Sequence, residues 1–143
     1  MMKFVLFCAL FSLASATTYT IVTETSNVKN AETDNIYLRM TLVGPHGNVL
    51  TPYFDEPDRD DFKKGASEAF VFSGLKEVGE IHCIDISVGG DDWWLFETIL
   101  VYSDTHPMPV IFENTSNQGM SSDTSEGVRN MRLCAGGGDI SRK

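Results

Sequence analysis

Apolar residues recur at every second position along most of this chain, and that spacing decides what it can build. Between Asn35 and Val43, Ile36, Leu38, Met40 and Leu42 fall on one side, and Tyr37, Arg39 and Thr41 on the other. Successive side chains of an extended strand point to opposite faces, so such a segment forms a strand with one face buried. The same reading gives strands at Tyr19–Thr25, Asn48–Leu50, Glu68–Ser73, Glu80–Val88, Trp93–Ser103 and Met108–Glu113, and a last one ending at Cys134. No stretch of ten or more residues carries the apolar stripe of an amphipathic helix. Gly44-Pro45-His46-Gly47 is a turn, Thr51–Ser67 a long polar connection, and Asn114–Gly127 a loop rich in Ser, Asn, Gly and Thr. Eight short strands between such turns predict an all-β fold, an antiparallel eight-stranded sandwich. Its expected core holds Ile21, Ile36, Leu38, Met40, Phe70, Phe72, Ile84, Ile86, Trp94, Phe96, Ile99 and Val101.

The first residues follow another logic. Lys3 is basic, Phe4–Leu13 is apolar but for Ser12, and Ala14-Ser15-Ala16 has the small-x-small pattern of a cleavage site. Together these features describe a secretion signal at residues 1–16; the alternative is a buried first helix. Cleavage there leaves residues 17–134 for the sandwich and 135–143 as a frayed tail, 127 of the 143 residues. That length suits one domain and is far too short for a barrel enzyme of about 250 residues. No later segment is apolar enough to span a bilayer, so the expected product is secreted and soluble.

Charge and cysteines refine the class. The whole chain carries 20 acidic against 11 basic residues, a formal charge of −9. Nucleic acid is thereby excluded as the main partner, since phosphate binding needs clustered cations, and so is unaided docking on anionic lipid. Cys8 leaves with the signal, and Cys83 and Cys134 remain. An even count in an oxidising compartment points to one disulfide, against the alternative of two free buried thiols. Both sulfurs fall on the polar faces of their strands, where two neighbours can meet.

Catalytic constellations are missing from the sequence. His46, His82 and His106 are isolated, without the paired spacing of a zinc site. Gly65-Ala66-Ser67-Glu68-Ala69 lacks the second Gly and the strand–turn–helix setting of a nucleophile elbow. The acidic run Asp55, Glu56, Asp58, Asp60 and Asp61 lacks the Gly and terminal Glu of an EF-hand loop and reads as a solvated loop. The expectation is a protein without enzymatic activity.

Five segments in order carry a more specific signal. They are Ala31-Glu32-Thr33-Asp34-Asn35-Ile36, the Gly44 and Gly47 turn, Phe62-Lys63-Lys64-Gly65-Ala66-Ser67-Glu68-Ala69-Phe70, Val78-Gly79-Glu80-Ile81, and Asp91-Asp92-Trp93-Trp94-Leu95-Phe96 leading to Ile99 and Val101. In this order the chain resembles the PLAT domain, the β-sandwich attached to lipoxygenases, pancreatic-type lipases, polycystins and clostridial alpha-toxin. The similarity runs over about Tyr19 to Tyr102, with Glu68 where Asp is usual and Glu32 in place of a usual Gly. The resemblance implies two four-stranded sheets and a non-catalytic module that binds lipid or a partner protein, in some members with calcium. The Cys83–Cys134 bridge lies outside the family pattern.

Matched by motif, the calcium candidates are the backbone around Glu32, the side chain of Asp34, and Asp91 and Asp92. Calcium takes six to eight oxygens from carboxylates and carbonyls on adjacent loops. Contact with a lipid or membrane surface needs aromatics at exposed loop tips, and Trp93, Tyr53 and Phe54 are the candidates. The other expectation is an extracellular protein partner met through a sheet face without calcium. Asn114-Thr115-Ser116 is an N-glycosylation sequon in a predicted surface loop.

Overall fold

A computed structural model describes residues 15–33, 36–55, 60–90, 92–136 and 138–139. Its strands are β1 (Ala16–Thr25), β2 (Ile36–Gly44), β3 (Gly47–Leu50), β4 (Ser67–Lys76), β5 (Cys83–Gly90), β6 (Trp93–Trp94), β7 (Phe96–Ser103), β8 (His106–Glu113), β9 (Met120–Ser121), β10 (Asn130–Cys134) and β11 (Gly138–Asp139). There is no helix among the described residues. The first sheet runs in the order β4-β1-β7-β8 and the second as β11-β10-β5-β2-β3, while β6 and β9 form a small ribbon. All strand pairings are antiparallel. The eight-stranded sandwich expected from the period-two pattern is the framework, four strands to a sheet, with the two-residue β11 added at one edge.

Alternation sets each face. In β1 the buried set is Thr17, Tyr19, Ile21, Thr23 and Thr25, and in β2 it is Leu38, Met40 and Leu42. Eleven of the twelve expected core residues are buried, and Ile36 is half-buried against them. The predicted strand Trp93–Ser103 is divided in two. Trp94, Leu95 and Phe96 are all buried, and three consecutive side chains cannot share one face of one strand. The chain kinks at Leu95, and the pairing of β1 with β7 shifts register between Glu24 and Thr25. Trp93 and Trp94 turn aside to pair with Ser121 and Met120, inside the stretch predicted as a loop.

Strands β1, β3, β5 and β8 end, and β2, β4, β7 and β10 begin, at one end of the sandwich, the loop end. An aromatic stack closes it from inside. Phe54 meets Phe70 and Phe72 with ring centroids 4.9 Å apart in both pairs. Phe62 lies 5.0 Å from Trp94 and 5.6 Å from Phe70, and Trp94 lies 4.9 Å from Phe96. The indole of Trp94 donates to Thr25 Oγ1 at 3.0 Å, so its polar atom is satisfied in the core. Phe62 holds a left-handed φ of 63°, costly for a bulky residue, and the buried Glu68 carboxylate accepts its backbone N–H.

At the opposite end Cys83 and Cys134 face each other in register across β5 and β10, with Cα atoms 4.0 Å apart and the sulfurs at bonding distance. Their sequence separation of 51 residues makes the bridge worth about 4 kcal/mol in the chain-entropy view. Cys134→Ser is expected to lower unfolding free energy by about that amount in a denaturant titration. Non-reducing peptide mapping is expected to recover Cys83 joined to Cys134, and two alkylatable thiols would contradict the bridge. Phe54→Ala is expected to cost about 3–5 kcal/mol in the same titration, because it empties the centre of the aromatic stack.

Candidate binding site

The loop end carries two open clefts on either side of the β1–β2 connection. Ala31 is pinned there, its carbonyl accepting from Leu95 N–H at 3.1 Å and its own N–H donating to Val28 at 3.2 Å. Burying Ala31 and Thr33 turns the exposed Glu32 the other way, so successive residues face different clefts.

The first cleft, about 680 Å³, is lined by Lys29, Asn30, Glu32, Asp92, Trp93 and Glu126. Glu32 and Asp92, two of the four proposed calcium ligands, therefore meet at one site; Asp34 and Asp91 lie outside the described residues. Trp93 is half-buried and its indole rests on the backbone of Gly119, where any Cβ would overlap the ring. The indole is a wall of the cleft, not a free tip. The Asp92 carboxylate accepts the Trp93 N–H at 2.8 Å, which fixes the turn into β6.

The second cleft, about 410 Å³, lies between the β1–β2 connection and the long β3–β4 connection. Thr33, Ile36, Tyr37, Tyr53, Asp55, Asp60, Asp61 and the flanks of Phe54 and Phe62 line it. Thr33 is one of these lining residues, and its hydroxyl is buried with no hydrogen-bond partner among the described residues. A buried hydroxyl without a partner carries a desolvation cost that a ligand would relieve. Lys63 Nζ holds Asp60 at 2.7 Å on the outer side. Among the described residues no three His, Cys, Asp or Glu side chains converge tightly enough to hold a metal ion by themselves. The donors are nonetheless hard oxygens, the type calcium takes, and carbonyls complete such sites.

Tyr53 stands exposed beside this cleft, edge-on to Tyr37 at 6.3 Å, with the Arg39 guanidinium 5.2 Å from its ring. Tyr37 is 60% exposed and joins Tyr53 at this surface, beyond the aromatics expected from the sequence. Its signal was its place on the outward side of the β2 alternation. Phe54, expected with Tyr53 at the surface, is instead inside: the next position along an extended segment points the opposite way, into Phe70 and Phe72. Of the acidic run expected as a solvated loop, Asp55, Asp60 and Asp61 line the cleft, and Glu56 and Asp58 lie outside the described residues.

Asn114 Nδ2, the atom a glycan would occupy, donates to the carbonyls of Phe96 at 3.1 Å and Gln118 at 3.0 Å, and Ser116 Oγ donates to its Oδ1 at 2.9 Å. In the folded chain the sequon side chain closes a turn.

No protein-family model matches this chain. Solved structures match its fold. A lipoxygenase variant superposes with a TM-score of 0.70 at 19% identity over 85% of this chain. A coral 8R-lipoxygenase, described as calcium-activated through a C2-like domain, gives 0.67 at 22% over 83%. A calcium-dependent 11R-lipoxygenase gives 0.58 at 20% over 84%. This chain spans only 17% of the length of each of these three proteins. With its all-β order and two packed antiparallel sheets, it has the PLAT-like β-sandwich fold of lipoxygenases.

Proposed function

We propose that this chain is a secreted, non-catalytic binding module whose loop end takes up calcium and then approaches a lipid surface. The observation that carries the reading is the gathering of Asp55, Asp60 and Asp61 around one cleft that Thr33 also lines, with the buried Thr33 hydroxyl lacking a partner among the described residues. A divalent ion there would give the hydroxyl a partner and draw the carboxylates together. Glu32 and Asp92 offer a second set of oxygens in the neighbouring cleft.

Charge links the two halves of the proposal. A chain of net charge −9 is repelled by anionic lipid, and bound cations at the approaching end reduce that repulsion. Tyr37 and Tyr53 stand beside the acidic cleft, where an amphipathic ring can sit at the headgroup level. Two of the fold neighbours are a calcium-activated and a calcium-dependent lipoxygenase, which agrees with a cation at this end. A bridged Cys83–Cys134 pair suits the oxidising compartment that the amino-terminal signal implies.

Calorimetry is expected to record calcium binding that weakens at least about tenfold in Asp60→Asn/Asp61→Asn, and measurably in Thr33→Val. Sedimentation with phosphatidylcholine and phosphatidylserine vesicles is expected to pellet the chain only with calcium. Tyr53→Ser is expected to reduce pelleting while leaving the calcium heat unchanged. No heat and no pelleting on either lipid would end this reading.

A further inference from the structure

The two outer faces of the sandwich differ in kind. On the outward side of the second sheet, Arg39 and Thr41 alternate along β2, Arg132 on β10 donates twice to the Asp85 carboxylate on β5 at 2.6 Å each, and the exposed Tyr37 and Leu50 stand two rows apart without forming a band. A solvated sheet face normally looks like this. The outward side of the first sheet breaks the rule. Val22, Leu100 and Ile111 lie side by side across β1, β7 and β8, and one row away Val71 and Tyr102 flank Thr20. Val71 is 58% exposed, Ile111 52% and Tyr102 41%. These side chains form a continuous apolar band across all four strands, and among the described residues nothing covers it.

Charge on this face is one-sided. Glu24 and Glu113 stand on either side of Thr98 in the row nearest the loop end, and the one Lys or Arg of these four strands, Lys76, ends β4 at the far end of the sheet, opposite Ala16. Four strands at about 4.8 Å spacing and two rows about 7 Å apart give an apolar band of roughly 300 Å². A stable dimer buries about 800 Å² per partner, so the band alone is too small to hold a second copy. Two copies would also each bring a net charge of −9 to the contact. An oppositely charged partner gains where a second copy loses, because its own charge adds attraction and orientation to a modest apolar contact.

We propose that the outward face of the β4-β1-β7-β8 sheet docks a basic protein segment, with apolar residues on the band and Lys or Arg opposite Glu24 and Glu113. The face is separate from the clefts of the loop end and needs no cation.

A fluorescent peptide of alternating Leu and Lys, with a Leu–Glu peptide as control, tests the inference by anisotropy at two salt concentrations without calcium. The cationic peptide is expected to bind and the acidic one not. Val71→Thr/Tyr102→Thr/Ile111→Thr keeps charge and strand propensity and is expected to weaken binding about tenfold. Glu24→Gln/Glu113→Gln is expected to weaken it and flatten its salt dependence. Asp60→Asn/Asp61→Asn is expected to bind as the unaltered chain does, which separates failure here from failure of the cation reading. Circular dichroism confirms folding, and Ile111→Thr alone serves if the triple variant does not fold. Equal binding by the apolar-face variants and the unaltered chain overturns the proposal. So does equal binding of the two peptides, or a dimer in sedimentation that the substitutions dissolve.

Discussion

The contact of Trp94 with Phe62 and Phe96, extended by Phe70 and Phe54, is the interaction on which the loop end depends. Two sheets leave an open mouth wherever their strands stop, and long connections have no hydrogen-bond ladder to hold them across it. Here the connections are held by aromatic rings sent inward. Phe54 and Phe62 belong to the β3–β4 connection and are as buried as strand residues. Large rings bring enough apolar area to fix an irregular segment without regular structure. Asp55, Asp60 and Asp61, between those two anchors, are thereby presented at a defined cleft.

The anchoring has a local cost at Phe62, whose left-handed backbone is unfavourable for its side chain. The Glu68 carboxyl offsets it by receiving the Phe62 N–H in a buried setting, where an unmet donor would be costly. Acceptor, aromatic anchor and acidic cleft therefore lie within one stretch of chain. A substitution at Glu68 acts on the cleft through the backbone.

Legibility in the sequence followed the physics of each element. The sheets were readable because one buried face imposes a period of two, and Ile36 to Leu42 or Ile84 to Val88 obey it without interruption. The bridge followed from parity and from both cysteines lying on polar faces. Trp94 as the plug was readable by motif, whereas the division of its strand was not, because Trp94-Leu95-Phe96 looks like a continuous apolar run. Tyr53 and Phe54 looked equivalent, since polar surroundings conceal which of two neighbours turns inward. The clefts were least legible. They join Thr33 to Asp60 and Glu32 to Glu126 across sequence distances that no local pattern spans. The outward apolar band was equally hidden, because Val22 and Ile111 become neighbours only when β1, β7 and β8 align.

The position of the bridge has a consequence for a cut chain. Cys83 and Cys134 enclose β6 to β9 and the connection from Asn114 to Gly127, exposed on either side of the buried β9. A protease that nicks this loop leaves two pieces still joined through sulfur, each contributing strands to the second sheet. Such a clip need not release a fragment, and the loop end can persist in a molecule that is no longer one continuous polypeptide. A nick in the β3–β4 connection lies outside the sulfur-closed ring, and there only packing and the strand ladder keep the pieces together.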